Sequence, residues 1–273
     1  MPKRTKQIVF GGFLIYLVIF TYVVLTTIHQ EMHPGLKVNG DNALYMFFYL
    51  QPFGLRDSLF INFGSIAIIP ILSTYHFIHM KNNNELIHLL QRIGYQKFIQ
   101  MVVGKSFLIA SIFSLIVNIH ELILINWFYA LLSFSSKSQF LLTSKLIYFS
   151  SNGWVNLLTY IVLAAIGWGI YTVFILALGL FIRKNALYVP LGIVFGLGTI
   201  LLDEVVLISM NKGTIQFANI LAAPNLFSPG QLVIGGQNPP LGLWATYVII
   251  VGIYALLIFA LIKFWHKKQE RGA

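Results

Sequence analysis

The chain has no cysteine and little charge. Without cysteine it can form neither a disulfide bond nor a thiolate metal site. Only 10% of its 273 residues are charged, whereas a soluble domain carries roughly 25%. Hydrophobic residues make up 58% of the chain, with 23 Phe and 13 Tyr, and the mean hydropathy is +0.80. This composition excludes an ordinary soluble domain and predicts an all-α polytopic membrane protein.

Six apolar stretches are long enough to cross a bilayer, which takes about 20 helical residues. They cover residues 8–28, 59–78, 106–132, 155–182, 186–208 and 243–265. Since no other stretch has the composition of a separate domain, we predict a single transmembrane domain over residues 1–273.

Lysine and arginine are unevenly distributed over the segments that connect these spans. When the amino terminus is placed inside, most of the 18 Lys and Arg residues fall on the cytoplasmic side. The positive-inside rule therefore places both termini in the cytoplasm of a multi-pass protein, which we expect in a bacterial plasma membrane. The same bias accounts for much of the formal net charge of +10, so no nucleic-acid partner is required.

Residues 81–105, between the second and third spans, form the one charged and amphipathic stretch of the chain. Asparagines, which are favoured helix N-caps, precede Glu85. One face of the predicted helix is apolar and carries Leu86, Leu89, Leu90 and Ile93. The other face carries Glu85, His88 and Arg92. Gly94 stands where a left-handed cap would end the helix, and a turn at Gly104 and Lys105 would lead into the third span.

These features together resemble the ABC-2 family of ABC-transporter permeases. The resemblance rests on six spans with both ends inside, on the acidic amphipathic helix at Glu85, and on Lys105 at the start of the third span. In that family the matching segment is a coupling region that sits in a cleft of the ATPase subunit. The implied ATPase contacts are Glu85, Leu86, His88, Leu89, Arg92, Gly94 and Lys105. The alternative is an interfacial helix buried among lipid headgroups.

The segment between the fifth and sixth spans contains two short apolar stretches, residues 217–224 and 226–234. Proline and glycine turn signals separate them, and neither is long enough to span. Backbone at membrane depth must satisfy its own hydrogen bonds, so we expect a pair of short re-entrant helices in the outer leaflet. The resemblance implies the same pair, whereas an apolar surface loop is the alternative.

Three acidic residues lie within the predicted spans. Glu121 is near the middle of the third span, where a charge is unfavourable unless it is paired or faces water. Asp203 and Glu204 are in the outer third of the fifth span. One interpretation makes all three a cation-attracting wall of a substrate path. In the other, Glu121 is neutral or bonded to His120, Asn118 or Asn126, and the acidic pair reaches the outer interface.

No enzyme motif is complete. Residues 104–106 end like a phosphate-binding loop, but Ile99 stands where its first glycine belongs. Residues 120–121 begin a zinc motif, but Leu124 replaces the second histidine. We therefore predict no catalytic residue, no metal site and no cofactor in this chain, which is not an enzyme. ATP and magnesium would be bound by a partner subunit.

Gly192 and Gly196 stand in the register that lets helix backbones approach closely, and we predict a dimer contact there. The expected partners are an ABC ATPase subunit, a second copy or paralogue of the permease, and membrane lipid. The expected function is the permease subunit of a bacterial ABC exporter for an amphiphilic cargo, such as a hydrophobic or antimicrobial peptide, a lipid or a drug. The alternative is a stand-alone toxin-immunity protein or secondary carrier, although a carrier should show internal repeats.

Overall fold

A computed structural model describes residues 3–31, 41–52, 60–83, 85, 94–138, 141–142, 148–206, 212–231 and 239–270. Every regular element over these ranges is a helix, which confirms the all-α prediction. The α-helices are α1 (Lys3–Glu31), α2 (Asn42–Leu50), α3 (Ser65–Asn82), α4 (Tyr95–Phe128), α5 (Gly153–Gly179), α6 (Asn185–Tyr188), α7 (Leu191–Val206), α8 (Lys212–Leu221), α9 (Pro224–Phe227) and α10 (Gly242–Glu270).

Five helical segments within the described ranges are long and apolar enough to cross a membrane. They are Gln7–Gln30, Tyr95–Phe128, Gly153–Gly179, Asn185–Leu202 and Gly242–Gln269. They correspond to five of the six predicted spans and indicate a membrane-embedded protein.

The second predicted span is helical but differs in character from the other five. A π-helical turn, Phe60–Gly64, precedes α3, and Pro70 lies inside α3. The last two turns of α3 include histidines and Lys81. These polar residues lower the mean hydropathy of α3. For this reason α3 is not among the five candidate spans.

The central helix of the bundle is α5. In its most apolar stretch 72% of the residues are buried by the rest of the chain, against 22% for the corresponding stretches of α1 and α10. The two peripheral helices expose large apolar side chains such as Val18, Leu256 and Phe259. An apolar outer face around an apolar centre is what a lipid environment allows.

The structure adds a helix that the sequence analysis missed. Residues 29–58 are predicted as a connecting segment, yet α2 lies within them and is almost fully buried. The rings of Phe47 and Phe48 pack edge-on against Tyr160 of α5, with centroids 5.8 and 5.2 Å apart. With 9 residues α2 is too short to span.

The predicted turn at the start of the third span is wrong. Helix α4 begins at Tyr95 and runs for 34 residues without a break at Gly104 or Lys105, both of which are exposed. A helix of this length extends about 51 Å, well beyond a hydrocarbon core of about 30 Å. Part of α4 therefore projects past the span.

Helix ends that carry the predicted cytoplasmic flanks meet at one end of the bundle, here called the basic end. There, the Nζ of Lys81 donates to the backbone oxygens of Gly179 and Ile182 at 3.0 and 2.6 Å. The ring of Tyr95 lies 5.3 Å from that of Trp265. These contacts bring together the last turns of α3, α5 and α10 and the first turn of α4.

The other end of the bundle is held by Asp41, which precedes α2. Its carboxylate accepts hydrogen bonds from the hydroxyls of Ser135 and Ser138 at 2.9 and 2.7 Å, and from the backbone N–H of Ser135 at 3.0 Å. Asp41 is buried. Its hydrogen bonds fix α2 to the segment that follows α4.

Candidate functional site

A polar cavity lies inside the bundle, between α1, α3, α4 and α5. Its volume is about 20 Å³, which is room for one water molecule or one small ion. Its polar lining consists of Tyr16, Gln51, Ser65, Ser114, Asn118 and Glu121. The remaining lining is apolar, and none of the described lining residues is basic.

Glu121 is the only acidic residue among the side chains that line this cavity in the described part of the chain. Helix α4 presents Ser114, Asn118 and Glu121 on one face, because residues three and four apart share a helix face. Glu121 is 2% exposed. Its Oε2 accepts a hydrogen bond from Nε2 of Gln51 at 2.9 Å. Its Oε1 is buried and has no hydrogen-bond partner among the described residues.

The partner of Glu121 differs from those that the sequence suggested. His120 Nε2 lies 2.7 Å from the hydroxyl of Thr21 on α1. The amide of Asn118 donates to the backbone oxygen of Ser114 at 2.8 Å, and Asn126 accepts from the backbone of Leu132. The hydrogen-bond partner of Glu121 is thus Gln51, which follows α2, and not His120, Asn118 or Asn126.

A chain of hydrogen bonds continues from Gln51. The hydroxyl of Tyr160 donates to Oε1 of Gln51 at 2.9 Å and lies 2.9 Å from Oγ of Ser228. That serine in turn donates to the backbone oxygen of Pro52 at 2.6 Å. The chain connects α4, the end of α2, α5 and the segment after α9. It therefore fixes the carboxamide of Gln51 in the orientation that donates to Glu121.

On the opposite wall of the cavity, α1 is joined to α3. The hydroxyls of Tyr16 and Ser65 lie 2.8 Å apart, and both residues are buried. The cavity therefore gathers one carboxylate, several hydroxyl oxygens and two carboxamides. Such a set can hold water, a proton or a small cation.

The other predicted path residues, Asp203 and Glu204, lie in the last turn of α7. Their side chains lie outside the described part of the structure. The cation-attracting wall predicted from all three acids remains a prediction.

The predicted coupling residues fall partly within the described ranges. Leu86, His88, Leu89 and Arg92 lie outside the described residues. Glu85 is exposed, and its backbone N–H donates to the oxygen of Met80 at 3.0 Å. Gly94 has φ 79° and ψ 145°, a conformation that essentially only glycine adopts. Gly94 is therefore not the predicted left-handed cap but the residue that precedes α4, and the helix that it was predicted to end lies outside the described residues.

Gly192 and Gly196 make a close approach within the chain. A Cβ at Gly192 would lie 2.6 Å from the backbone oxygen of Ile66, and one at Gly196 would lie 3.0 Å from the Ile66 side chain. Both glycines are buried against α3. A second copy would therefore have to contact another surface.

Two short helices, α8 and α9, lie between α7 and α10 and overlap in part with the predicted stretches, residues 217–224 and 226–234. Leu226 and Phe227 of α9 are at most 1% exposed. The ring of Phe227 stacks on Trp168 of α5, with centroids 4.2 Å apart. The short helices are thus part of the bundle, and their depth in a membrane remains a prediction.

Sequence analysis missed three functional-site residues, namely Gln51, Tyr160 and Ser228. No local pattern distinguishes them, since Gln51 and Ser228 lie in turns and Tyr160 is one of 13 tyrosines. Of the residues at this site, only Glu121 could be recognised from the sequence, because it is an isolated acid in an apolar stretch.

No protein-family model, no curated protein and no solved structure matches this chain.

Proposed function

We propose that this chain is the permease subunit of a bacterial ABC exporter of the ABC-2 type, with both termini in the cytoplasm. ATP and magnesium belong to a separate ATPase subunit, and a second copy or paralogue completes the membrane part. The observation that carries the proposal is the position of Glu85, which is exposed on the connection between α3 and α4 at the basic end of the bundle.

The connection joins two helices that pack closely behind it. The rings of Phe77 on α3 and Phe98 on α4 lie 5.7 Å apart. Deeper in the bundle, the hydroxyl of Ser106 donates to the backbone oxygen of Ser73 at 3.4 Å. Because α3 and α4 are in contact along this stretch, a force applied near Glu85 would move both helices together.

Lys81 extends this link to the central helix. It lies four residues before Glu85, and its ammonium group donates to the carbonyls that end α5. An ATPase that docks on the connection would thus act on α5 through Lys81. This is the arrangement that a coupling segment requires.

The proposed cargo is an amphiphile, such as a hydrophobic or antimicrobial peptide, a lipid or a drug. The cavity around Glu121 is too small for a peptide, so the path for such a cargo would form between two membrane subunits. The apolar outer faces of α1 and α10, with Val18 and Leu256 about 70% exposed, suit contact with lipid and amphiphiles.

The test is purification of the protein from its native cells with any bound ATPase, followed by an ATPase assay. Glu85→Arg and deletion of residues 82–94 should each release the ATPase. Lys137→Glu is the matched control, because Lys137 is exposed in the segment that Asp41 holds at the other end of the bundle. That reversal should leave the complex intact.

Retention of a full complex by both the Glu85→Arg protein and the deletion would refute the proposal. A chain that purifies alone, without nucleotide turnover, would instead favour a stand-alone immunity protein or carrier.

A further inference from the structure

The second carboxylate oxygen of Glu121 needs a partner that the described protein groups do not provide. Gln51 occupies Oε2, whereas Oε1 is buried without a hydrogen bond among the described residues. A carboxylate in this position is strongly unfavourable unless a positive charge or a polar ligand compensates it. The hydroxyl of Tyr160 donates to Oε1 of Gln51, so that the amide nitrogen of Gln51 faces Glu121.

The cavity that Glu121 lines also contains neutral oxygen atoms. Tyr16, Ser65 and Ser114 contribute hydroxyl groups to the cavity that Glu121 lines. Asn118 uses its amide nitrogen to donate to the backbone of Ser114, which leaves its amide oxygen available as an acceptor. Oxygen ligands of this kind suit hard cations that have no preference for nitrogen or sulfur.

The charge balance selects a monovalent ion. Glu121 is the only carboxylate among the described lining residues, and the described part of the chain contains no cluster of three or more His, Cys, Asp or Glu residues. A divalent ion would leave an excess positive charge in the apolar bundle, whereas a monovalent ion would neutralise Glu121. We propose that Glu121 and the surrounding oxygens form a binding site for an alkali-metal cation.

An ion at this position would connect three helices. Glu121 lies on α4, whereas Tyr16 and Ser65 lie on α1 and α3 and are hydrogen-bonded to each other. The ion would thus stabilise the packing of α1 and α3 against α4. This effect does not depend on an ATPase partner, so it can be tested separately from the proposed exporter function.

The test uses the full-length protein in detergent micelles after removal of alkali ions into choline chloride. NaCl or KCl is titrated in while choline keeps the chloride concentration constant, and the thermal unfolding midpoint is measured. Binding of ²²Na⁺ or ⁸⁶Rb⁺, the latter as a potassium substitute, is measured in parallel. One of the two ions should raise the midpoint with a saturable dependence on concentration and should bind at one site per chain.

Glu121→Gln, which keeps the shape and removes the charge, should abolish both the saturable rise and the binding. Asp41→Asn is the matched control, because Asp41 is also a buried carboxylate but its oxygens are hydrogen-bonded by Ser135 and Ser138. It should lower the midpoint and keep the ion response. Should Glu121→Gln fail to fold, Asn118→Ala serves instead and should weaken the apparent affinity roughly tenfold through loss of one ligand.

The proposal is overturned if the wild-type protein responds equally to sodium, potassium and choline and binds neither radioactive ion. In that case Glu121 holds a proton, and Glu121→Gln should be at least as stable as the wild-type protein. An ion response that persists in both the Glu121→Gln and Asn118→Ala proteins would overturn it as well.

Discussion

The ammonium group of Lys81 lies 2.6 Å from the backbone oxygen of Ile182, across the basic end of the bundle. It also donates to the carbonyls of Gly179 and Leu180, at 3.0 and 2.9 Å. The last carbonyls of a helix have no partner within the helix. The Lys81 nitrogen donates hydrogen bonds to carbonyls at this helix end. Lys81 therefore fastens α3 to the end of α5.

Replacing Lys81 with methionine should destabilise the protein by about 1–3 kcal/mol, because the partly buried carbonyls of Gly179, Leu180 and Ile182 lose a hydrogen-bond donor. Methionine keeps the length and apolar character of the side chain. Lys105→Met is the matched control, since Lys105 is exposed on α4 and its removal should change stability by no more than about 0.5 kcal/mol. Thermal unfolding of the two proteins in the same detergent measures the difference, and equal midpoints would contradict the role assigned to Lys81.

The stability that Lys81 provides should depend on pH. Burial, and then the charge of Arg183, lower the pKa of this ammonium group from 10.5 to about 8. Between these two values the unfolded chain binds more protons at this position than the folded protein, so stability increases with pH. The advantage of the wild-type protein over Lys81→Met should therefore grow as the pH rises from 8 towards 10.5. Unfolding midpoints of both proteins at matched pH values test this, and a constant or shrinking difference would contradict it.

The long helices are predictable from the sequence because crossing a membrane requires only length and apolar composition. The start of α4 at Tyr95 could not be predicted in the same way, because Lys97 and Lys105 suggest that the apolar helix begins only after them. In the folded protein both lysines are exposed, while Phe98 and Ile99 are buried against the bundle. This first part of α4 is thus amphipathic and continues the helix beyond the apolar stretch.

The functional site was predictable only in part, because its contacts join residues that are distant in sequence. Glu121 stands out as an acid in an apolar run. Its partner Gln51 is 70 residues away, and Tyr160 is a further 109 residues from Gln51. The partner could be identified only after α2 was found, and α2 is too short to be recognised as a span.

Gly167 marks the place where α9 meets the central helix. A Cβ at this position would lie 1.8 Å from the backbone oxygen of Leu226 and 2.8 Å from the Cα of Phe227. Because both atoms belong to the backbone, no side-chain rotation can relieve the overlap. Gly167→Ala should therefore destabilise the protein by at least about 1–3 kcal/mol, a usual cost of overpacking.

Gly104→Ala is the control for this substitution. Gly104 also lies inside a long helix, but no atom lies within 4 Å of the position of an added Cβ. Since alanine has the higher helix propensity, Gly104→Ala should stabilise the protein by up to about 1 kcal/mol. Thermal unfolding of both variants decides the matter. Similar losses in both would show that α9 does not pack on Gly167.

Tyr160 should be essential for the hydrogen-bond chain that orients Gln51. Tyr160→Phe keeps the ring that packs on Phe47 and Phe48 and removes only the hydroxyl. Oε1 of Gln51 would then lose its donor, and an unsatisfied buried polar group costs about 1–3 kcal/mol. Since Gln51 could turn over and present its oxygen to Glu121, the variant should also weaken any ligand binding at that carboxylate.

Tyr22→Phe is the matched control, because Tyr22 is 69% exposed on α1 and takes no part in the hydrogen bonds that hold Gln51. Its unfolding midpoint and its response to alkali ions should equal those of the wild-type protein. Tyr160→Phe should lower the midpoint. Gln51→Ala should lower it less in the Tyr160→Phe protein than in the wild-type protein, because the effects of coupled residues are not additive. Full additivity of the two substitutions would show that Tyr160 does not act through Gln51.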